Sequence, residues 1–80
     1  MEQKTNVSPV AKNVIQKSGG VGKISQITGR AESSIYKWTY PKEKGGTGGL
    51  IPAEAQAELM AASMRGEVDL CAEDFFEKAP

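Results

Sequence analysis

Glu32, Ser33, Tyr36 and Lys37 are the residues best suited to recognition chemistry, because they gather a carboxylate, a hydroxyl, a phenol and an ammonium on one short segment. Donors and acceptors of that kind match the base-pair edges displayed in a DNA major groove. They are interleaved with Ile35 and Trp38, whose three-residue spacing puts both on the opposite face of a helix. Ile24 and Ile27 repeat that spacing one segment earlier. Gly29 stands between the two pairs, where a chain leaving one helix and turning sharply benefits from left-handed backbone. The pattern predicts a helix-turn-helix over residues 23–38, with both apolar pairs in one core and Ser25 at the crossing, where only a small side chain fits. Glu32, Ser33, Tyr36, Lys37 and then Tyr40 face outward. The same spacing also describes an ordinary helical hairpin.

Such a pair needs other elements to hold it. Ser8-Pro9 supplies an N-cap and a proline at the first helical position, so a first helix should run to about Ser18, its stripe of Val10, Ala11, Val14 and Ile15 packing on the pair. Gly19-Gly20 ends it. A second helix is expected from Val21 to Thr28, and a third from Ala31 or Glu32 to Tyr40 at the latest, because Pro41 disfavours helix in the residue before it. Residues 41–49 read as a loop too glycine-rich for regular structure. Its accessible amides, with Tyr40, Lys42, Lys44 and Thr47, are candidates for a DNA phosphate, and a flexible connector is the other reading. A fourth helix should begin with Pro52 near its first position and reach about Arg65, with Ala55, Leu59 and Ala62 on one face. A short turn over residues 72–76 would bring Phe75 or Phe76 to seal the core, with Glu73 and Asp74 as charges in its first turn. The expected fold is therefore all-α, a compact four- to five-helix bundle with one domain over residues 8–76, a disordered stretch at 1–7 and a tail at 77–80.

Eighty residues make one domain with a modest core, and pairing of two copies would help to stabilise it. A single cysteine, Cys71, cannot form an internal disulfide, and with no histidine no transition-metal site or cofactor is expected. Cys71 reads as a small half-buried residue beside Leu70. Neither a signal peptide nor a run of apolar residues long enough to span a bilayer is visible, which predicts a cytoplasmic protein, nucleoid-associated when bound. Net charge is zero, yet residues 1–44 hold eight basic groups against three acidic and residues 45–80 hold two against seven, a split of +5 and −5. That sorting suits one half facing phosphates and one turned away. Gly19-Gly-Val-Gly-Lys23 imitates part of a phosphate-binding loop, but Lys17 stands where its first glycine belongs and Ile24 where its hydroxyl belongs. No arrangement for nucleophilic or acid–base catalysis is present, so no enzyme is expected.

Gly19-Gly20 ahead of the second helix, the paired helices ending in Trp38, the glycine loop running into Leu50-Ile51-Pro52, and the closing Val68-Asp69-Leu70 with Glu73-Asp74-Phe75 together resemble the Cro-like, YdaS-type family of phage-repressor and antitoxin regulators. The resemblance covers about residues 8–76. It implies a lambda-repressor-like bundle whose second paired helix reads a major groove, commonly as a dimer on a palindromic operator. It places Glu32, Ser33, Tyr36 and Lys37 toward bases and Lys23 toward a phosphate. Two positions depart from the family. Arg30 stands where an apolar core plug is usual, and Ala31 where a serine or threonine caps the recognition helix. Arg30 is either an additional DNA contact or a stem covering apolar surface.

Trp38 reads as core rather than a base-stacking platform. The expected function is sequence-specific, operator-binding regulation by a homodimer on double-stranded DNA, without a small-molecule substrate. Met60, Met64, Phe75 and Phe76 are the apolar candidates for the dimer contact. The competing class is a protein-interaction module on the same scaffold, docking through the acidic half.

Overall fold

A computed structural model describes residues 7–76. The disordered N-terminus and the tail expected from sequence lie outside the described residues, except for Val7. Four α-helices follow in order: α1 (Val10–Ser18), α2 (Val21–Thr28), α3 (Glu32–Tyr36) and α4 (Ala53–Met64). Three 3-10 turns, Lys37–Thr39, Lys42–Lys44 and Ala72–Phe75, complete the set, and no strand occurs among the described residues. The chain is an all-α bundle.

Each boundary has a local cause. The Ser8 hydroxyl accepts a hydrogen bond from the Val10 amide at 3.2 Å, while Pro9 sits one position ahead of α1 and its carbonyl accepts from the Asn13 amide. Pro52 likewise stands just outside α4, one residue earlier than expected. Gly19 and Gly29 close α1 and α2 in left-handed backbone, and each amide folds back onto a carbonyl of the helix just ended.

The core is assembled from one face of every helix. Val10, Ala11 and Val14 of α1, Ile24 of α2, Ile35 of α3 and Ala55 and Leu59 of α4 meet around Trp38, with Ile51, Leu70 and Phe75 closing the ends. Phe75 is the residue that seals, and Phe76 is exposed. Segment 66–71 is tied to α4 through Ser63, whose hydroxyl donates to the Leu70 carbonyl at 2.7 Å and accepts from the Leu70 amide at 3.1 Å. Cys71 is exposed, not half-buried as its neighbour Leu70 suggested. Its position is set by capping the last turn, where the Asp74 carboxylate accepts from the Cys71 amide at 2.8 Å. One buried polar atom is orphaned among the described residues: the Ser18 hydroxyl, on the core side of α1.

The two oppositely charged halves of the sequence are stitched together. Lys17, in the last turn of α1, bonds Asp74 at 2.9 Å, and Arg30 bonds Glu58 and approaches Glu54 at 3.6 Å. Burial pushes the Asp74 carboxyl up, but hydrogen bonds from Lys17 and the Cys71 amide outweigh it and hold the group below the usual carboxylate range. The Lys17 ammonium is correspondingly raised by its bond to Asp74. Two basic groups of the first half are thus paired with acids of the second.

Candidate nucleic-acid interface

The segment between α2 and α3 is three residues long, Gly29, Arg30 and Ala31. It is fixed by side chains of the helix it leaves. The Ser25 hydroxyl donates to the Arg30 carbonyl at 2.7 Å, which explains the small polar residue at the crossing, and the Thr28 hydroxyl accepts from the Arg30 amide at 3.3 Å. The Arg30 guanidinium turns away from α3 toward α4, where Glu58 and Glu54 hold it with its side chain only 25 % exposed. The sequence left Arg30 between a DNA contact and a cover for apolar surface; in the structure its charge is paired with Glu58, with Glu54 at a longer 3.6 Å.

α3 begins at Glu32 with Ala31 in extended backbone and no side-chain cap, as the missing serine or threonine foretold. Glu32 supplies the negative charge that a helix N-terminus favours. Its carboxylate bends back over α2, with Oε2 3.5 Å from where a Cβ on Gly22 would stand, so it lies at the margin of the outer face. Ile35 and Trp38 are buried while Ser33, Tyr36 and Lys37 are exposed, Tyr36 by 50 %. Tyr40 is exposed as well, on the far side of the 3-10 turn that tightens the end of the helix.

What sequence reasoning missed is the loop after Tyr40. It is not a flexible run of accessible amides. The amides of Gly45, Gly46, Thr47 and Gly48 donate to the carbonyls of Lys42, Pro41, Lys37 and Tyr40. The Thr47 hydroxyl reaches the carbonyls of Trp38, at 3.0 Å, and Leu50. Thr47 and the loop amides, expected as phosphate ligands, instead turn inward: Gly45 and Gly46 close the loop on itself, and Thr47 and Gly48 cap the Lys37, Trp38 and Tyr40 carbonyls that end the α3 segment. A Cβ on Gly46 would run into the carbonyl oxygens of Lys37 and Tyr40, and one on Gly49 into the backbone of Ser8. Only glycine lets the loop come this close. At its far end the Gly48 and Gly49 carbonyls accept from the amides of Ser8 and Ala11 at 2.7 Å, so the loop straps the end of the α3 segment to the start of α1.

Three cations remain beside Tyr36 and Tyr40 in the chain: Lys37 at the helix end, and Lys42 and Lys44 on the loop's 3-10 turn, all exposed. None makes an ion pair among the described residues. The Lys42 stem lies along Gly48 and leaves its ammonium free to project. Lys23, by contrast, is half-buried in the first turn of α2 and close enough to help lower the Glu67 carboxyl, after that group's stronger hydrogen bond from Arg65. No group of residues suited to holding a metal ion occurs among the described residues, and no described helix is long and apolar enough to cross a membrane. Comparison of the chain with protein-family models, with curated proteins and with solved structures returns no match.

Proposed function

We propose that the chain is a sequence-specific DNA-binding regulator of the cytoplasm that lays α3 in a major groove. Ser33, Tyr36 and Lys37 meet base edges, Glu32 sits at the margin, and Tyr40, Lys42 and Lys44 meet phosphates. One observation carries this reading: α3 and its 3-10 continuation keep only Ile35 and Trp38 in the core and leave the hydroxyl, phenol and ammonium groups in solvent on a segment clamped at both ends. Clamping matters because a recognition element must meet the groove in a fixed pose, whereas a five-residue helix alone has no stability of its own. A helix this short reads few base pairs, so the active species is two copies on inverted half-sites about 34 Å apart, one turn of DNA.

Selection of bound sites from random duplexes tests the reading. An enriched inverted repeat with centres about one helical turn apart is expected. Recovery of no preferred sequence contradicts it. A second reading, a module that docks on another protein, draws on the exposed apolar residues of α4. Salt separates the two, since phosphate contacts release counterions and an apolar dock does not.

A further inference from the structure

We infer that Glu32 determines which base the α3 face accepts: its carboxylate requires a cytosine amine at one position of each half-site and rejects a carbonyl there. The inference rests on the DNA-reading role proposed for α3 and names the base which that role demands. Glu32 is the one acid on α3 and the first residue of the helix, exposed at the margin of the outer face with its carboxylate over Gly22 of α2. A recognition helix that enters a major groove brings its N-terminal residues to the base edges, so the acid stands where sequence is read.

Nothing in the protein neutralises it. Glu32 makes no ion pair among the described residues, and Arg30, two positions earlier, is turned to α4 and paired with Glu58. The exposed cations Lys37, Lys42 and Lys44 follow at the other end of the segment. The reading segment is therefore polarised along its length, acid where the helix starts and cations where it stops. Phosphates are drawn to the second end on any sequence and repelled by the first on any sequence. Only a base can offset that repulsion.

The donor pattern of the groove says which base. An ionised carboxylate offers acceptors alone, so it gains from a donor and loses against a carbonyl. Guanine and thymine present acceptors there, and the donors are the adenine N6 and cytosine N4 amines. Adenine sets its N7 acceptor beside its amine, a pair that the amide of Asn or Gln matches and a carboxylate does not. Cytosine brings its amine with no acceptor of its own, and it is the base that a carboxylate holds best. A wrong base at this position loses the hydrogen bond and also sets a bare charge against a lone pair, which is discrimination by rejection as much as by attraction.

The test is a titration of the selected duplex by fluorescence anisotropy, with each cytosine of the half-sites replaced in turn by thymine, for the unsubstituted chain and for Glu32→Gln. Glu32 is exposed, so the substitution leaves the core untouched. One replacement should weaken the unsubstituted chain about fivefold or more. At that position Glu32→Gln, whose amide can donate to the thymine carbonyl, should hold both duplexes within about twofold of each other. It should also bind an unrelated duplex more tightly than the unsubstituted chain does, because one repulsion of phosphate is gone. A Glu32 that merely favours the start of α3 predicts instead an equal loss on every duplex with the cytosine preference intact, and that result overturns the inference. So does a selected half-site that lacks cytosine on both strands or tolerates replacement of each one. A chain that prefers no duplex over another fails earlier, at the DNA-reading role itself, and takes this inference with it.

Discussion

On α3 and its 3-10 continuation the groups left in solvent are Glu32, Ser33, Ser34, Tyr36 and Lys37, while on α4 the outermost groups are Ala53, Ala57, Ala61 and Met64, with charge confined to one flank. The lengths differ in the same sense. α3 has five residues and cannot persist alone, whereas α4 has twelve and is fixed by its own buried face. α3 therefore takes its pose from outside: Trp38 anchors it from beneath, the Ser25–Arg30 bond holds its entry and the glycine loop caps its exit. Because neighbours supply the stability, its outward residues are free to be polar and to match a polar partner. α4 needs no such help, because its own buried face of Ala55, Leu59 and Ala62 fixes it.

The largest expected effect breaks the comparison from the α3 side. Trp38→Ala should cost about 3–5 kcal/mol in denaturant unfolding, whereas Met64→Ala on the outer line of α4 should cost less than about 0.5 kcal/mol. A Trp38→Ala chain of near-normal stability would show that the anchor lies elsewhere. Next comes the strap. Gly49→Ala places a Cβ on the Ser8 backbone in left-handed conformation, so thermal unfolding should register a loss of more than about 1 kcal/mol. An unchanged transition would mean that α3 does not depend on the loop.

How much of this could be read from the chain alone follows from the range of the interactions. Helix boundaries and core faces were legible because they are local: the spacing of Ile24, Ile27, Ile35 and Trp38, the prolines before α1 and α4, and the glycines after α1 and α2 each act within one turn. The outward placement of Ser33, Tyr36 and Lys37 followed from the same periodicity. The pairing of Arg30 with α4 was not legible because its partners lie 24 and 28 positions away, and no local pattern announces a carboxylate arriving from another helix. The loop was misjudged for a different reason. Glycine permits both disorder and close approach, and only the carbonyls of Lys37, Tyr40 and Ser8 decide between them.

Two smaller effects sharpen the picture of how α1 supports both faces. Ser18→Ala removes a buried hydroxyl that has no partner among the described residues, so it should stabilise the chain by about 1 kcal/mol in denaturant unfolding. A loss of stability would reveal a hidden partner. The smallest effect belongs to the Lys17–Asp74 pair. With the folded Asp74 carboxyl lowered, its contribution is fully present above the unfolded value and is lost as pH falls through the folded one. Unfolding followed from pH 7 into the acid range should therefore show a component that Asp74→Asn abolishes, small because Lys17 is largely solvated.

The central claim, that the outer face of α3 reads duplex DNA, is tested most directly by fluorescence anisotropy of a labelled selected duplex across a salt series, with the unsubstituted chain, Tyr36→Ala and Lys37→Ala side by side. Affinity should fall with a log–log slope of several units, about −0.9 per phosphate neutralised. Each substitution should cost about 1–3 kcal/mol on the selected site and little on an unrelated duplex. Binding that is flat with salt, or variants that hold the selected site as tightly as the unsubstituted chain, would contradict it.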